Sequence, residues 1–525
     1  MKTHFFEDAF STLFSALLIA VSAACAHAEP GVVEPDDLVP LGGLSLTAPD
    51  FELPALSPEL PLLDLEDNSP EAGLLRQFQR EGRAAGFKNV IYDNRDRGHS
   101  KPKPGQFPTL SQLVISDELK KRNLDYGLAG GLIVPAIVIG NSSTALTKGK
   151  YKRSQPRLAM TTPEGPTRAF LTYITNHLYI YPEHRDHDKV DLFPANWPYM
   201  VITQGSSHSD RPFMRALFMA VAALSPDTQQ ALQEKNLVAP TLQMILRRSQ
   251  KAIYSREAYL SGRAHPTVFS KKDLVPERMV TLASSLKPEE IPPMIVLTVE
   301  EEDFGSEAGL ASLSEKLFDT PSAIARVWRG FEFSKRMMVS AGKTADPNGH
   351  TLKFSWVLLR GDPNRVRIAP IGESGAKAEI TVEWHDTRQI MPSQKRLTHR
   401  VDIGVFAWNG FHDSAPALIS ISFPGHQKRE YKLIQEIGPM RLSSVDYRAA
   451  ERNAAYDPWI YWTAPWKDLM EYDGAAILSG IKREMSETVV ELSGPNMLPN
   501  GKAVQYTLKD TENHRLLSME FETAQ

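Results

Sequence analysis

Tyr199-Met200-Val201-Ile202-Thr203 runs into Gln204-Gly205-Ser206-Ser207-His208-Ser209-Asp210 and then into an apolar stretch from Pro212 to Leu224. A continuous apolar strand that feeds a polar loop and then a helix is the grammar of an α/β layer, because a strand buried on both faces has no polar side to alternate. Two upstream segments repeat the pattern. Asn89-Val90-Ile91-Tyr92 leads into Asp93-Asn94-Arg95-Asp96-Arg97-Gly98-His99-Ser100, and the run from Leu132 to Ile139 ends in Gly140-Asn141-Ser142-Ser143. Ser69-Pro70-Glu71 reads as a helix start, with Leu74, Leu75 and Phe78 on one face, and further helices are predicted over residues 226–234, 240–250 and 276–286. These elements define one α/β or α+β domain over residues 69–330.

The chain has 525 residues, 42% hydrophobic and 23% charged, with a formal net charge of −4 from 59 basic and 63 acidic side chains. Its length suits about two to four folded units. The near balance of charge leaves no field to recruit DNA, RNA or an anionic membrane, so no nucleic-acid partner is expected.

The apolar run Ser11–Ala24 is followed by Cys25-Ala26-His27-Ala28-Glu29, whose Ala26 and Ala28 stand where a signal peptidase site wants small residues. Residues 1–28 are therefore expected to be an export signal, which would carry off the only cysteine; an uncleaved anchor and lipidation at Cys25 are the competing readings. No other apolar stretch reaches the roughly 20 residues of a membrane span, so none is expected after cleavage. Residues 29–68 are rich in proline and acid and hold no Lys or Arg, which predicts a solvated acidic linker.

Beyond Gly330 the pattern changes to short alternating strands separated by turn signals, the pattern of an Ig-like antiparallel β-sandwich over residues 331–426. Asp346-Pro347-Asn348-Gly349 followed by Leu352, Phe354 and Trp356, with Val401-Asp402-Ile403-Gly404-Val405 and Ala415-Pro416-Ala417, resembles the PKD or cadherin-like sandwiches of bacterial exported proteins. The resemblance covers about 90 residues and implies a fold and an extracytoplasmic setting, periplasmic, cell-surface or secreted, and no catalysis. The whole chain, with its Tyr92–His99 stretch, is similar to exported bacterial proteins without an assigned function. Residues 427–525 read as a small β-rich region with an aromatic start, in which Trp459, Trp462 and Trp466 form either a sugar-stacking platform or an interdomain plug.

Polar groups gathered at strand ends are where α/β folds place their sites. Asp93 and Asp96 are candidate general bases, with Asn94, Arg95 and Arg97 as ligand-binding groups, the arginines holding an anion; the competing reading is an Asp–Arg network that shapes a loop. Asn141 and Ser142 follow the next strand. In the third loop Ser207 is a candidate nucleophile, although Ser209 stands where a nucleophile elbow has its second glycine. Gln204, Ser206 and Asp210 would form a ligand cradle there, or Ser209 or Asp210 simply caps the helix. His99 and His208 complete the candidate catalytic set, His177 and His265 are other possible bases, and Arg263 with His265 marks a fourth polar loop. His184 and His187, among several carboxylates, are the candidate ligands for a divalent metal, against a plain solvated loop.

These residues support three readings. In the leading one, an exported, envelope-associated or secreted protein binds a glycan or small polar ligand in its α/β domain, with the sandwich as spacer or adhesion module and contact with the cell envelope. The second is an extracytoplasmic hydrolase, metal-assisted or Ser-dependent, and the third a structural adhesion protein without a pocket.

Overall fold

A computed structural model describes residues 27–127, 130–142, 145–146, 151–391, 395–435, 438–448, 456–512 and 514–520. Residues 1–26, and with them most of the expected export signal and Cys25, lie outside the described residues.

The first unit is built on a parallel six-stranded sheet. Its spatial order is Gly31–Val33, Ser111–Ile115, Val90–Arg95, Ile137–Ser142, His177–Glu183 and Val201–Gln204. From Val90–Arg95 the chain first steps to one side, to Ser111–Ile115, and then returns to the other, to Ile137–Ser142. The order therefore reverses between these two strands, at Val90–Arg95 and Ile137–Ser142, whose C-terminal ends open the crevice where such sheets bind ligands. The β-branched run Ile137-Val138-Ile139 is fully buried, as a central parallel strand requires. Pro135 splits the expected 132–139 strand: Leu132–Ile133 pairs in a separate small sheet, since proline offers no N–H to a central ladder.

Helices form where capping and periodicity predict them. Ser69 Oγ accepts from the Ala72 amide at the start of Pro70–Arg80, and Arg211–Ala223 buries ten of its residues against the sheet side of the core. Among the described residues no helix is long and apolar enough to cross a membrane.

Residues 29–68 are not a solvated linker. Gly31–Val33 forms the outer strand of the parallel sheet, Val39–Leu41 and Ser45–Thr47 form a hairpin, and Val33, Leu62 and Leu63 are buried in the core. The apolar side chains between the prolines outweigh the acidic ones because they reach a surface already apolar.

The second unit begins before residue 330. Thr298–Glu302, Ser334–Ser340, Lys377–Glu383 and Val366–Ile371 make one antiparallel sheet. Lys316–Thr320, Ala323–Val327, Ala417–Ser422, Arg400–Trp408 and Lys353–Arg360 make the other, in which only Ala323–Val327 and Ala417–Ser422 run parallel. Both sheets contribute to one core that includes Trp328, Met337, Ile380, Val405 and Ile419. A third core, with Trp462, Trp466 and Leu517, joins the sheet of residues 428–492 to the hairpin Gln505–Asp510 and Arg515–Glu520.

The first two units are joined by specific bonds. Arg256 forks onto Asp413 at 2.8 Å through both Nε and Nη2, and Tyr259 OH donates to Ser414 O at 2.7 Å.

Candidate functional site

The strand Val90–Arg95 is buried along its whole length, so its alternating side chains serve opposite faces of the sheet. Tyr92 and Asn94 point to the side of helix Arg211–Ala223: Tyr92 packs edge-on against Phe218, and Asn94 lies opposite Asn141 in register. Asp93 and Arg95 point to the other side.

On the first side the three polar loops meet. Tyr92 OH donates to Asn141 Oδ1 at 2.7 Å, and Asn94 Nδ2 donates to the same oxygen at 3.0 Å and to His99 O at 2.8 Å. Asn94 Oδ1 accepts from the amides of Asp96 and Gly98, which winds the 94–99 loop around it. Asn141 Nδ2 donates to Asp210 Oδ2 at 2.7 Å, and Ser100 Oγ to Asp210 Oδ1 at 2.6 Å. Asn141 and Asp210 are both 0% exposed. Asp210 occupies the N-cap position of helix Arg211–Ala223, yet its side chain makes no capping bond. The expected cap is instead a buried node that ties the 93–100 loop, the end of Ile137–Ser142 and the helix start together.

Above this node lies an exposed rim. His99 Nδ1 is 3.1 Å from Asp96 Oδ2, with the imidazole side chain 49% exposed. The ring of His208 stacks on that of His99, with centroids 5.0 Å apart and planes 16° from parallel. His208 holds a left-handed backbone, φ +75°, which a non-glycine residue adopts only at some cost. Gln204, Ser206 and Ser207, in the loop that carries His208, are exposed, and Gln204 also reaches the seam between the first two units. The Asp96–His99 contact leaves the Nε2 edge of His99 for a ligand, the arrangement in which a carboxylate orients an imidazole for proton transfer. Ser207 does not have the strained conformation of a nucleophile elbow: in this turn the positive φ falls at Gly205 and His208.

On the second side Asp93 is not free to act as a base. Its Oδ2 accepts from Arg95 Nε at 2.9 Å and from Tyr179 OH at 2.6 Å. Arg95 also donates to Leu132 O and lies over the Tyr179 ring at 3.9 Å, so it shapes the loop and does not clamp an anion on the rim. Burial works against the Arg95 charge, but Tyr179 and Asp93 offset it and hold the guanidinium above its ordinary value. Gly140 makes room for this cluster, since a Cβ there would sit 2.5 Å from both Asp93 O and the Tyr179 ring. Arg95, Tyr179 and Tyr181 line a cavity of about 400 Å³ beside helix Gly165–Ile174. Ser142 Oγ lies on this side, 3.4 Å from Arg95 O. Arg97 is exposed and held by Asn123 Oδ1 at 2.6 Å.

The metal pair does not assemble. His184 is exposed, while His187 is buried and its Nε2 accepts from Arg396 Nη1 at 2.9 Å, which occupies the lone pair a metal would need. Among the described residues no group of three or more His, Cys, Asp or Glu is placed to hold a metal ion. His265 and Arg263 lie away from the rim, along a second cavity at the seam between the first two units, which Gln204 also reaches. His177 is buried in the sheet with Nε2 donating to Val134 O at 3.0 Å, and burial lowers its pKa to about 3.

Of the tryptophans, Trp462 and Trp466 are buried and Trp459 is 40% exposed. Trp459 donates from its indole N–H to Thr161 O at 2.9 Å and carries Arg153 over its ring at 4.3 Å, so it plugs a seam, while Trp462 and Trp466 belong to the third core and the three form no platform.

No family model matches the chain, and neither does any curated protein. Among solved structures it aligns with one described as a nucleoside hydrolase-related hypothetical protein from Saccharophagus degradans that is associated with carbohydrate metabolism. The identity is 10%, over 55% of this chain and 62% of that one, with a TM-score of 0.19. The match thus spans under two thirds of the other chain, and a superposition this loose carries no argument about fold or activity. What stands is the fold class: a mixed α/β chain with a parallel sheet followed by several antiparallel sheets.

Proposed function

We propose that the α/β unit binds a polar, hydroxyl-rich ligand, a glycan or a fragment of one, on the rim formed by the 94–99 and 204–208 loops. The observation that carries this reading is the node at Asp210. Three chain segments from separate strand ends are tied at hydrogen-bond distance by a buried carboxylate with two neutral donors, and the groups they hold above it are polar and exposed. Two imidazoles, a glutamine and two serines offer donors and acceptors to sugar hydroxyls, and the flat face of a histidine ring suits a pyranose face. Export through residues 1–28, and service of the two-layer β unit as a PKD or cadherin-like spacer at the envelope, complete the proposal. Their support is the sequence pattern.

Calorimetric titration of the full chain with cello-, xylo- and chito-oligosaccharides tests the rim. The reading requires that at least one series binds, and that H99A and H208A each weaken it about tenfold or more; no binding by any series, or binding that both variants leave intact, contradicts it. The Asp96–His99 pair favours a second reading, hydrolysis of the bound ligand with His99 as the base. Release of reducing ends that H99A abolishes and H208A preserves in part would distinguish hydrolysis from binding alone.

A further inference from the structure

The loop of residues 261–267 and, on the other unit, Ile390, Met391 and Arg396 at the end of the strand pair Arg388–Gln389 and Leu397–Thr398 leave between them a cavity of about 810 Å³. Its size falls within the range of small-molecule sites. One wall is made by close approach of the two backbones: a Cβ at Gly262 would stand 2.1 Å from Leu359 O, so only glycine lets the loop lie against the Lys353–Arg360 strand.

The floor of the cavity is electrically settled. Arg360 donates to Asp191 and to Thr398 Oγ1 and lies 3.3 Å from Asp402. Arg400 pairs with the same two carboxylates, at 3.3 Å to Asp191 and 2.7 Å to Asp402. Two guanidinium groups thus meet two carboxylates. The walls are different. Arg263 is exposed on the loop and makes no hydrogen bond or ion pair with any described residue. Arg396, on the other unit, is half-buried and spends its bonds on neutral acceptors, Asp188 O at 3.1 Å and His187 Nε2 at 2.9 Å. Against these two unpaired guanidinium groups the lining offers one further carboxylate, Asp273.

The lining also holds a buried, unsatisfied acceptor. His265 is 2% exposed and its Nε2 must donate to Tyr259 O, 2.5 Å away, because a carbonyl only accepts. Its Nδ1 is then a lone pair, and it has no partner. Ser261, Ser270 and Gln204 add neutral polar groups.

From this lining we infer that the seam cavity binds a small hydroxyl-bearing carboxylate, a sugar acid of one or two rings, with Arg263 and Arg396 closing on its carboxylate from opposite units. Guanidinium forks match a carboxylate bidentately, and the serines and Gln204 suit ring hydroxyls. The inference goes beyond the rim reading; the two share only Gln204, and the arginines here are not rim groups, so either can fail alone.

Calorimetric titration of the full chain with galacturonate and digalacturonate, with cellobiose and inorganic phosphate as controls, tests it. The expected result is saturable binding of at least one uronate, with cellobiose and phosphate at least about tenfold weaker. R263A and R396A should each weaken the uronate about tenfold or more, while H99A leaves it unchanged. Arg263 is exposed, so R263A keeps its fold even if R396A does not, and its unfolding midpoint checks this. No uronate binding at millimolar concentration, uronate binding no tighter than cellobiose or phosphate, or binding that a folded R263A retains in full, would overturn the inference.

Discussion

Asp210 and Asp191 are both aspartates with almost no exposure, and they are held by opposite means. Asp210 meets only neutral donors, the Asn141 amide and the Ser100 hydroxyl, within the α/β unit. Asp191 meets two guanidinium groups, Arg360 and Arg400, from the neighbouring β unit. Burial opposes the Asp191 charge most strongly, but the two arginines and His187 outweigh it and hold the carboxyl well below its ordinary value. A charge balanced across a seam locks two units in one geometry. A carboxylate met by neutral donors at strand ends positions loops, and leaves the chemistry to the groups above it.

The widest gap between the two should appear on substitution. D191N leaves Arg360 and Arg400 short of a buried counter-charge and is expected to cost about 3–5 kcal/mol in urea denaturation. A smaller loss than that of D210N would break the comparison.

Acid comes next. His177 in the sheet is held near a pKa of about 3 and His399 beside the seam near about 4, both chiefly by burial. Folded values below the unfolded one of about 6.5 mean that their contribution is complete above that pH and drains as pH falls towards 3 and 4, at up to about 1.4 kcal/mol per pH unit for each group. Asp191, lowered below its ordinary value, keeps its contribution above the unfolded carboxylate range of about 4 and loses it only beneath. Stability curves of H177Q should therefore be flatter than wild type between about pH 6 and 4, and D191N curves should differ most in slope at lower pH, with a smaller change above it through His187 and His399. An unchanged H177Q slope would contradict the buried neutral imidazole.

D210N keeps one oxygen for Asn141 Nδ2 and makes the Ser100 hydroxyl an acceptor in place of a donor, for an expected loss of about 1 kcal/mol. H99A and H208A, both on the exposed rim, should move stability by less than about 0.5 kcal/mol while removing rim binding. If either shifts stability as far as D210N does, the rim is structural.

Much of this was legible locally. The apolar runs fix the parallel strands, and strand-end polarity brings the 93–100, 141 and 204–210 loops to one crevice. The alternation within Tyr92–Arg95 also contains the correction, that Asn94 serves the rim while Asp93 and Arg95 turn to Tyr179, but nothing local says which face is which. Ser100 and Tyr179 were missed as partners because hydroxyl groups have no sequence pattern of their own. His187 looked like a metal ligand because the arginine that occupies it lies 209 residues away. Composition misread residues 29–68, where four buried side chains, Val33, Ala48, Leu62 and Leu63, decide the outcome against many charged ones. The strands that precede residue 330 are five residues long, and two of them pair beyond it, Thr298–Glu302 with Ser334–Ser340 and Ala323–Val327 with Ala417–Ser422, which no local pattern announces.

The central claim is that a ligand covers the stacked His99 and His208 rings. Histidine acylation of the full chain by diethylpyrocarbonate, mapped by peptide mass with and without the oligosaccharide panel, reads both rings at once. The account predicts that both react freely and that a bound oligosaccharide protects the two together. Protection of neither ring by any sugar in the panel would contradict it.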